Sequence, residues 1–386
     1  MSEGGPSHTE RVMWLRLART NGLGPVNFAR LIARYKTAEA ALDALPGRAR
    51  KAGKPPPGIP AREAIEAELD AVETFGARLI IPPDPDFPAL LAAIPAAPPA
   101  LVTMGNPALA DRPCCAMVGA RNASVAGLRF ARELAHGLGR EGVTVVSGLA
   151  RGIDGAAHAG ALETGTVAVL AGGIDHIYPR EHAGLHDAIA EQGLLVSETP
   201  LGRVPTARDF PRRNRLISGL SQATLVVEAA LRSGSLITAR FAAEQGRDVM
   251  AVPGSPLDPR AKGSNQLLRD GAHLIESVED VLAVLAAAQT LPAPPGLADS
   301  GAASEPDWSW LDATDDTAPA AAPEHDMPEA ADPADRVRAL LSPAPVSPDE
   351  LARQARLPVG TVQAVLIELE FDGSLARLPG GLVQRT

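Results

Sequence analysis

The densest concentration of reactive or ligand-gripping side chains in this sequence is Arg208-Asp209-Phe210-Pro211-Arg212-Arg213-Asn214-Arg215. Four guanidiniums in eight residues outnumber the carboxylates beside them. A guanidinium is a permanent cation whose planar fork matches phosphate oxygens, and Phe210 adds a face on which a base can stack. That combination suits a single-stranded nucleic acid, against the plainer reading of a solvated helix start making ordinary ion pairs.

Two glycine turns carry the same chemistry. In Val118-Gly119-Ala120-Arg121-Asn122-Ala123-Ser124, Gly119 permits close backbone approach, Ser124 can cap a following helix, and Arg121 presents a fixed cation. In Ser147-Gly148-Leu149-Ala150-Arg151-Gly152-Ile153-Asp154, Ser147, Gly148 and Gly152 surround a second arginine, Arg151. Turns of this kind lead into helix N-termini, where backbone N–H groups favour anions, so the pair is expected to hold neighbouring phosphates. Asp154 and His158 lie four apart and, with Ser147, invite a hydrolase triad. Such a pair is more often structural, and Ser147 lacks the Gly-x-Ser-x-Gly elbow. Further on, Glu228 ends an apolar run, Ser233, Gly234 and Ser235 open a helix carrying Arg240, and Val252-Pro253-Gly254 forms another turn. Neither Gly-x-Gly-x-x-Gly nor Gly-x-x-x-x-Gly-Lys-Ser/Thr occurs, so NAD or ATP is not expected as a cofactor.

The turns need a scaffold. From about residue 77 to 290, apolar strands alternate with amphipathic helices: Cys114–Val118, Val143–Ser147, Val167–Ala171, Leu194–Ser197, Thr224–Val227 and Val249–Val252. Alternation of this kind predicts an α/β class, a Rossmann-like, doubly wound, mostly parallel sheet whose ligands sit beyond the carboxyl ends of the strands. Residues 1–76 predict a helical domain, with helices at Glu10–Thr20, Phe28–Tyr35 and Ala61–Phe75 and a Pro-rich basic loop over Gly47–Pro60. Its Gly22-Leu23-Gly24 turn resembles a helix-hairpin-helix (SAM-like) unit, or is a plain helical hairpin. Residues 291–333 are rich in Ala, Pro and acids without periodicity and predict a disordered linker. Residues 334–386 show the helix order and Gly-Gly hairpin of a winged helix.

A net charge of -10 argues against a polyanionic partner only until its distribution is considered. Residues 291–333 hold ten acids and no Lys or Arg, and removing those ten from 46 leaves 36 acids against 36 bases. Cys114 and Cys115 are adjacent, which suits neither a disulfide framework nor a metal site, and they are expected as buried hydrophobes. No leader-like N-terminus and no apolar run of spanning length occur, so a cytoplasmic protein without a membrane partner is expected.

In order along the chain, Gly119-Ala120-Arg121-x-x-Ser124, Ser147-Gly148-x-Ala150-x-Gly152-Ile153-Asp154, Asp175-x-x-Tyr178-Pro179, Ser197-Glu198, Phe210-Pro211-Arg212-Arg213-Asn214-Arg215, Ser233-Gly234-Ser235-Leu236-Ile237-Thr238-Ala239, Pro253-Gly254 and Gly263-Ser264-Asn265 closely resemble the DNA-processing protein A family, DprA or Smf. The resemblance implies a non-catalytic protein that binds single-stranded DNA, protects incoming DNA, forms a homodimer, and loads the RecA recombinase during natural transformation. The family usually has Asn where this chain has His182. The would-be recognition helix, Gly360 to Phe371, carries Glu368 and Glu370 and no Lys or Arg, which predicts protein contacts or regulation rather than groove reading. The expected DNA contacts are Gly119, Arg121, Ser124, Ser147, Gly148, Arg151, Gly152, Phe210, Arg212, Arg213, Asn214, Ser233, Gly234, Ser235 and Arg240. The rival is a Rossmann-like nucleoside monophosphate hydrolase using Glu228, although a Pro-Gly-Gly-x-Gly-Thr-type loop is replaced here by Ser-Gly-Ser. A purely structural adaptor acting through the winged helix would leave the arginine cluster unexplained.

Overall fold

The computed structural model describes residues 5–51, 55, 57–290 and 332–386. Four helices open the chain: α1 (His8–Ala18), α2 (Pro25–Tyr35), α3 (Ala38–Lys51) and α4 (Arg62–Thr74). Ser7 and Glu10 form a capping box at the start of α1. The Pro-rich loop expected from Gly47 begins later, because α3 continues through Pro46 to Lys51. Arg48, Arg50 and Lys51 complement the negative end of its dipole.

Then follow β1 (Arg78–Ile80), α5 (Ala89–Ala92), β2 (Leu101–Gly105), β3 (Cys114–Val118), α6 (Val125–Arg140), β4 (Thr144–Ser147), α7 (Ile153–Ala161), β5 (Thr166–Leu170), α8 (Ala183–Gln192) and β6 (Leu194–Ser197). The second half holds α9 (Asp209–Gly219), β7 (Ala223–Val226), α10 (Gly234–Glu244), β8 (Asp248–Ala251), α11 (Lys262–Arg269), β9 (His273–Leu274) and α12 (Val278–Thr290). All six expected strands are present, each within a residue of the expected ends. The additional β1, β2 and β9 have five residues or fewer and lie toward the sheet margins.

The nine strands run in the order β1-β2-β6-β5-β4-β3-β7-β8-β9. β2 is antiparallel to both β1 and β6, and the pairings from β6 to β9 are parallel. Strand order progresses one way from β3 through β4 and β5 to β6, and the other way from β7 to β9. The reversal lies between β3 and β7, where a crevice opens beyond the carboxyl ends of the strands. Both sheet faces are covered: Cys114, Ala116 and Val118 point into one apolar cluster, and Cys115 and Met117 into the other. The adjacent cysteines therefore face opposite sides of the sheet. Burial pushes both thiols up to about 12.

The N-terminal helices are not a separate bead. Val12, Leu15, Ile65 and Val72 share a core with Leu79, Val102 and Leu195 of the sheet. Arg11 grips Asp84 with two hydrogen bonds of 2.7 and 2.6 Å, and Trp14 Nε1 donates to the Pro99 carbonyl at 2.6 Å.

Beyond residue 331 come α13 (Pro333–Leu340), α14 (Pro348–Ala355), α15 (Val359–Phe371), β10 (Leu375–Arg377) and β11 (Val383–Arg385), a winged helix built on Val337, Leu351, Val362, Leu366 and Leu369. Val125 at the start of α6 belongs to the same cluster. Arg260, held by Asp258 at 2.8 Å, donates to the carbonyls of Ala339 at 2.8 Å and Leu341 at 2.6 Å and so caps the C-terminus of α13. The expected linker, with Trp308 and Trp310, lies outside the described residues except for its last two positions, 332 and 333.

Candidate nucleic-acid interface

The turns after β3 and β4 abut. Gly152 has φ +73°, and a Cβ there would stand 2.1 Å from the Ala120 carbonyl oxygen, so only glycine lets the two loops close. Ile153 N–H then donates to that carbonyl at 3.2 Å. Gly119 serves the same approach: a Cβ on it would meet the Ile153 side chain at 2.5 Å.

Above these turns is an open cleft lined by Arg121, Asn122, Gly148, Ala150, Arg151, Tyr178, Pro179, Phe210 and Arg213. The Arg121 guanidinium lies over the Phe210 ring at 5.7 Å, and Tyr178 meets the same ring at 5.3 Å. Arg151, half-buried, pairs with Glu181 at 3.1 Å. The cleft thus combines three arginines with two aromatic rings, the components used to hold a phosphate chain and stack its bases.

The arginine cluster divides between surface and interior. Arg208 and Arg212 are exposed. Arg213 is buried at 7% exposure and donates to the carbonyls of Gly148, at 2.6 Å, and Val169. Burial brings its pKa down to about 10, opposed by the Asp154 carboxylate. Arg215 is also interior, bound to Glu198 and to the Ala96 carbonyl at 2.6 Å. Arg213, expected among the phosphate contacts, borders the cleft and also ties α9 to the carboxyl ends of β4 and β5. A Cβ on Gly148 would lie 2.6 Å from its guanidinium carbon, which accounts for that glycine.

Several expected surface donors are likewise turned inward. Ser147 is fully buried and donates to the Met117 carbonyl at 2.6 Å, because residues of a parallel strand are covered on both faces. Ser124 caps α6, accepting from Gly127 N–H at 3.0 Å, and donates to Glu228 Oε1 at 2.5 Å, while its own N–H donates to Glu228 Oε2 at 2.9 Å. Ser233 caps α10 and its Oγ lies 2.7 Å from Ser235 Oγ. Asn214 Nδ2 reaches the Gly234 carbonyl at 3.3 Å, tying α9 to the start of α10. Arg240 lies in the second turn of α10, pairs with Glu244 at 3.0 Å, and is not among the cleft-lining residues.

The serine–histidine–aspartate grouping does not assemble. His158 Nδ1 faces Thr166 Oγ1 at 2.7 Å and its Nε2 accepts from Leu149 N–H at 3.3 Å. Asp154 accepts from the N–H groups of Gly148 and Ala150 at 3.1 and 3.4 Å. Burial raises its pKa, against the opposing pull of Arg213. Glu228, the residue on which a hydrolase reading depends, has both oxygens engaged by Ser124. His182, where an Asn is usual, stands behind the cleft with Nδ1 3.0 Å from the Leu149 carbonyl.

Tyr178 and Glu181 are not among the expected contacts, although the Tyr178-Pro179 pair lies in the loop that leaves the carboxyl end of β5. Among the described residues, no cluster of His, Cys, Asp and Glu suits a metal ion and no helix is long and apolar enough to cross a membrane.

Comparison with known proteins agrees with this architecture. The family profile described as DNA recombination-mediator protein A matches residues 78–286, more than half of the chain. The chain belongs to that family. The DprA-like N-terminal HHH domain matches residues 8–71, and the DprA winged helix domain residues 317–381. Protein Smf of Escherichia coli (strain K12) is 40% identical over 332 residues, covering 84% of this chain and 81% of that one. Protein Smf of Synechocystis is 34% identical over 403 residues, 98% of this chain and 100% of that protein. Among solved structures, DprA of Streptococcus pneumoniae superposes with a TM-score of 0.61 at 32% identity, covering 70% of this chain and 97% of its own. DprA of Helicobacter pylori, whose structure describes a single-stranded DNA binding mode, has a TM-score of 0.51 at 28% identity, over 55% of this chain and 96% of that one.

Proposed function

We propose that this chain is a non-catalytic single-stranded DNA-binding protein whose cleft grips phosphates through Arg121 and Arg151 while Phe210, backed by Tyr178, stacks a base and Arg212, exposed nearby on α9, holds a further phosphate. The observation that carries the proposal is the cleft itself: Arg121 and Arg151 on two interlocked strand-to-helix turns beside the Phe210–Tyr178 pair. Arg213 contributes by positioning, holding the Gly148 turn against α9. Gly119, Gly148 and Gly152 allow the close backbone approach, and Asn214, Ser233, Gly234 and Ser235 build the neighbouring edge. The family's described role as a recombination mediator supports the wider reading: a cytoplasmic homodimer that protects incoming DNA and loads RecA during natural transformation.

The test is fluorescence anisotropy with a long oligothymidine and the matching duplex at two salt concentrations, comparing the parent with an Arg121→Ala, Arg151→Ala double variant. The parent is expected to prefer the single strand, and the variant to bind more weakly with its salt slope reduced by about 0.7 per lost phosphate contact. An unchanged slope would remove these arginines from the interface. Turnover of a nucleoside monophosphate without oligonucleotide binding would restore the hydrolase.

A further inference from the structure

Winged helices that read duplex DNA do so with the helix placed here at α15, and here that helix has the wrong charge and an apolar outer face. Its exposed residues include Gly360, Ala364, Ile367 and Phe371, at spacings of four, three and four, which form one stripe along the helix. Phe371 is 89% exposed and Ile367 47%. A stripe with small residues at one end and large apolar ones at the other, roughly 16 Å long, has the dimensions of a helix-docking seam.

The charge around the seam selects the occupant. Glu368, exposed, falls on the same face, three residues before Phe371 and four after Ala364, and the described structure shows no ion pair for it. Glu370 is matched by Arg377 at 2.7 Å, and Asp372 faces Arg338 at 3.8 Å. The helix carries no Lys or Arg. A phosphate backbone is repelled by such a face, whereas a basic side chain of a protein helix would pair with Glu368.

Among the described residues, the docking of the domain leaves this face open. Arg260 holds the C-terminus of α13 and Val125 enters the winged-helix core, while α14 packs on α6. These contacts engage the first two helices of the domain.

We infer that the outer face of α15 is a docking site for a basic amphipathic helix of a partner protein, with Ile367 and Phe371 as apolar anchors and Glu368 as the charge partner. It is independent of the cleft and of whether the cleft binds DNA.

The experiment uses the full chain and a labelled synthetic peptide with Leu and Lys patterned at helical period, alongside a scrambled peptide of the same composition. At low salt the patterned peptide is expected to bind at least tenfold more tightly than the scrambled one. Phe371→Ser and Glu368→Lys are each expected to weaken it at least fivefold, with unfolding temperature and oligothymidine affinity unchanged. Equal binding of the two peptides, or variants that bind like the parent, would overturn the inference. So would a Phe371→Ser variant whose sedimentation shifts to a smaller species, which makes a second copy the occupant, or one that loses duplex binding, which makes α15 a groove reader.

Discussion

His158 shows how a single buried residue couples this fold to pH. Its ring is fully buried, and Thr166 and Leu149 specify its neutral form. Burial, helped by the neighbouring His182 and Arg213, lowers its pKa from 6.5 to about 3. The folded chain resists a proton that the unfolded chain accepts below 6.5. Stability is therefore intact above that pH and declines as pH falls toward 3, by about 1.4 kcal/mol per unit. Between pH 7 and 5 the expected loss from this residue is about 2 kcal/mol. Urea midpoints at the two pH values should show His158→Gln with a flatter dependence than the parent, and equal slopes would place the acid sensitivity elsewhere. The Asp154–His158 spacing was visible in the sequence. That both side chains serve the Gly148–Ala150 turn depended on which groups the fold brought against them.

At the scale of the element, α9 turns two arginines adjacent in sequence to opposite environments. Arg212 faces solvent and Arg213 the interior, so their truncations are expected to differ in kind. Arg213→Ala leaves the Gly148 and Val169 carbonyls without their donor and Asp154 without its compensating cation. A loss of about 3 kcal/mol or more in denaturant unfolding is expected, because a buried charge is left uncompensated. Arg212→Ala should stay within about 0.5 kcal/mol of the parent in stability. It should weaken oligothymidine binding and lower the salt slope by about 0.7. Comparable unfolding free energies for the two variants would refute this division. The density of arginines pointed to α9, but the helix-to-turn contact that holds Arg213 joins residues 65 positions apart and leaves no local signature.

For the whole molecule, the Arg260 contacts make the winged helix a docked part of the body. They satisfy two carbonyls at the end of α13, groups that a helix terminus otherwise leaves without a partner. Arg260→Ala should accelerate amide exchange at the C-terminal end of α13 while leaving oligothymidine affinity as it was. Exchange identical to the parent would show that Val125 and the α14–α6 packing suffice to hold the domain.

The periodicities of the chain alone determined the alternation of strands and helices, the six principal strands and the three-helix order of the winged helix, because burial on two sheet faces or one helix face leaves a repeating apolar pattern. The glycine and arginine turns after β3 and β4 also pointed to the candidate cleft, since ligand positions in such a sheet follow from strand ends. Tertiary structure decided which of those residues face the cleft. Ser147 and Ser124 turn inward because the Met117 carbonyl and Glu228 are there to meet them, while Arg213 borders the cleft with its guanidinium held by the Gly148 carbonyl. Tyr178, in the loop between β5 and α8, and Phe210, in the first turn of α9, come together from distant positions. Such pairings depend on three-dimensional proximity between distant positions, for which spacing along the chain carries no signal.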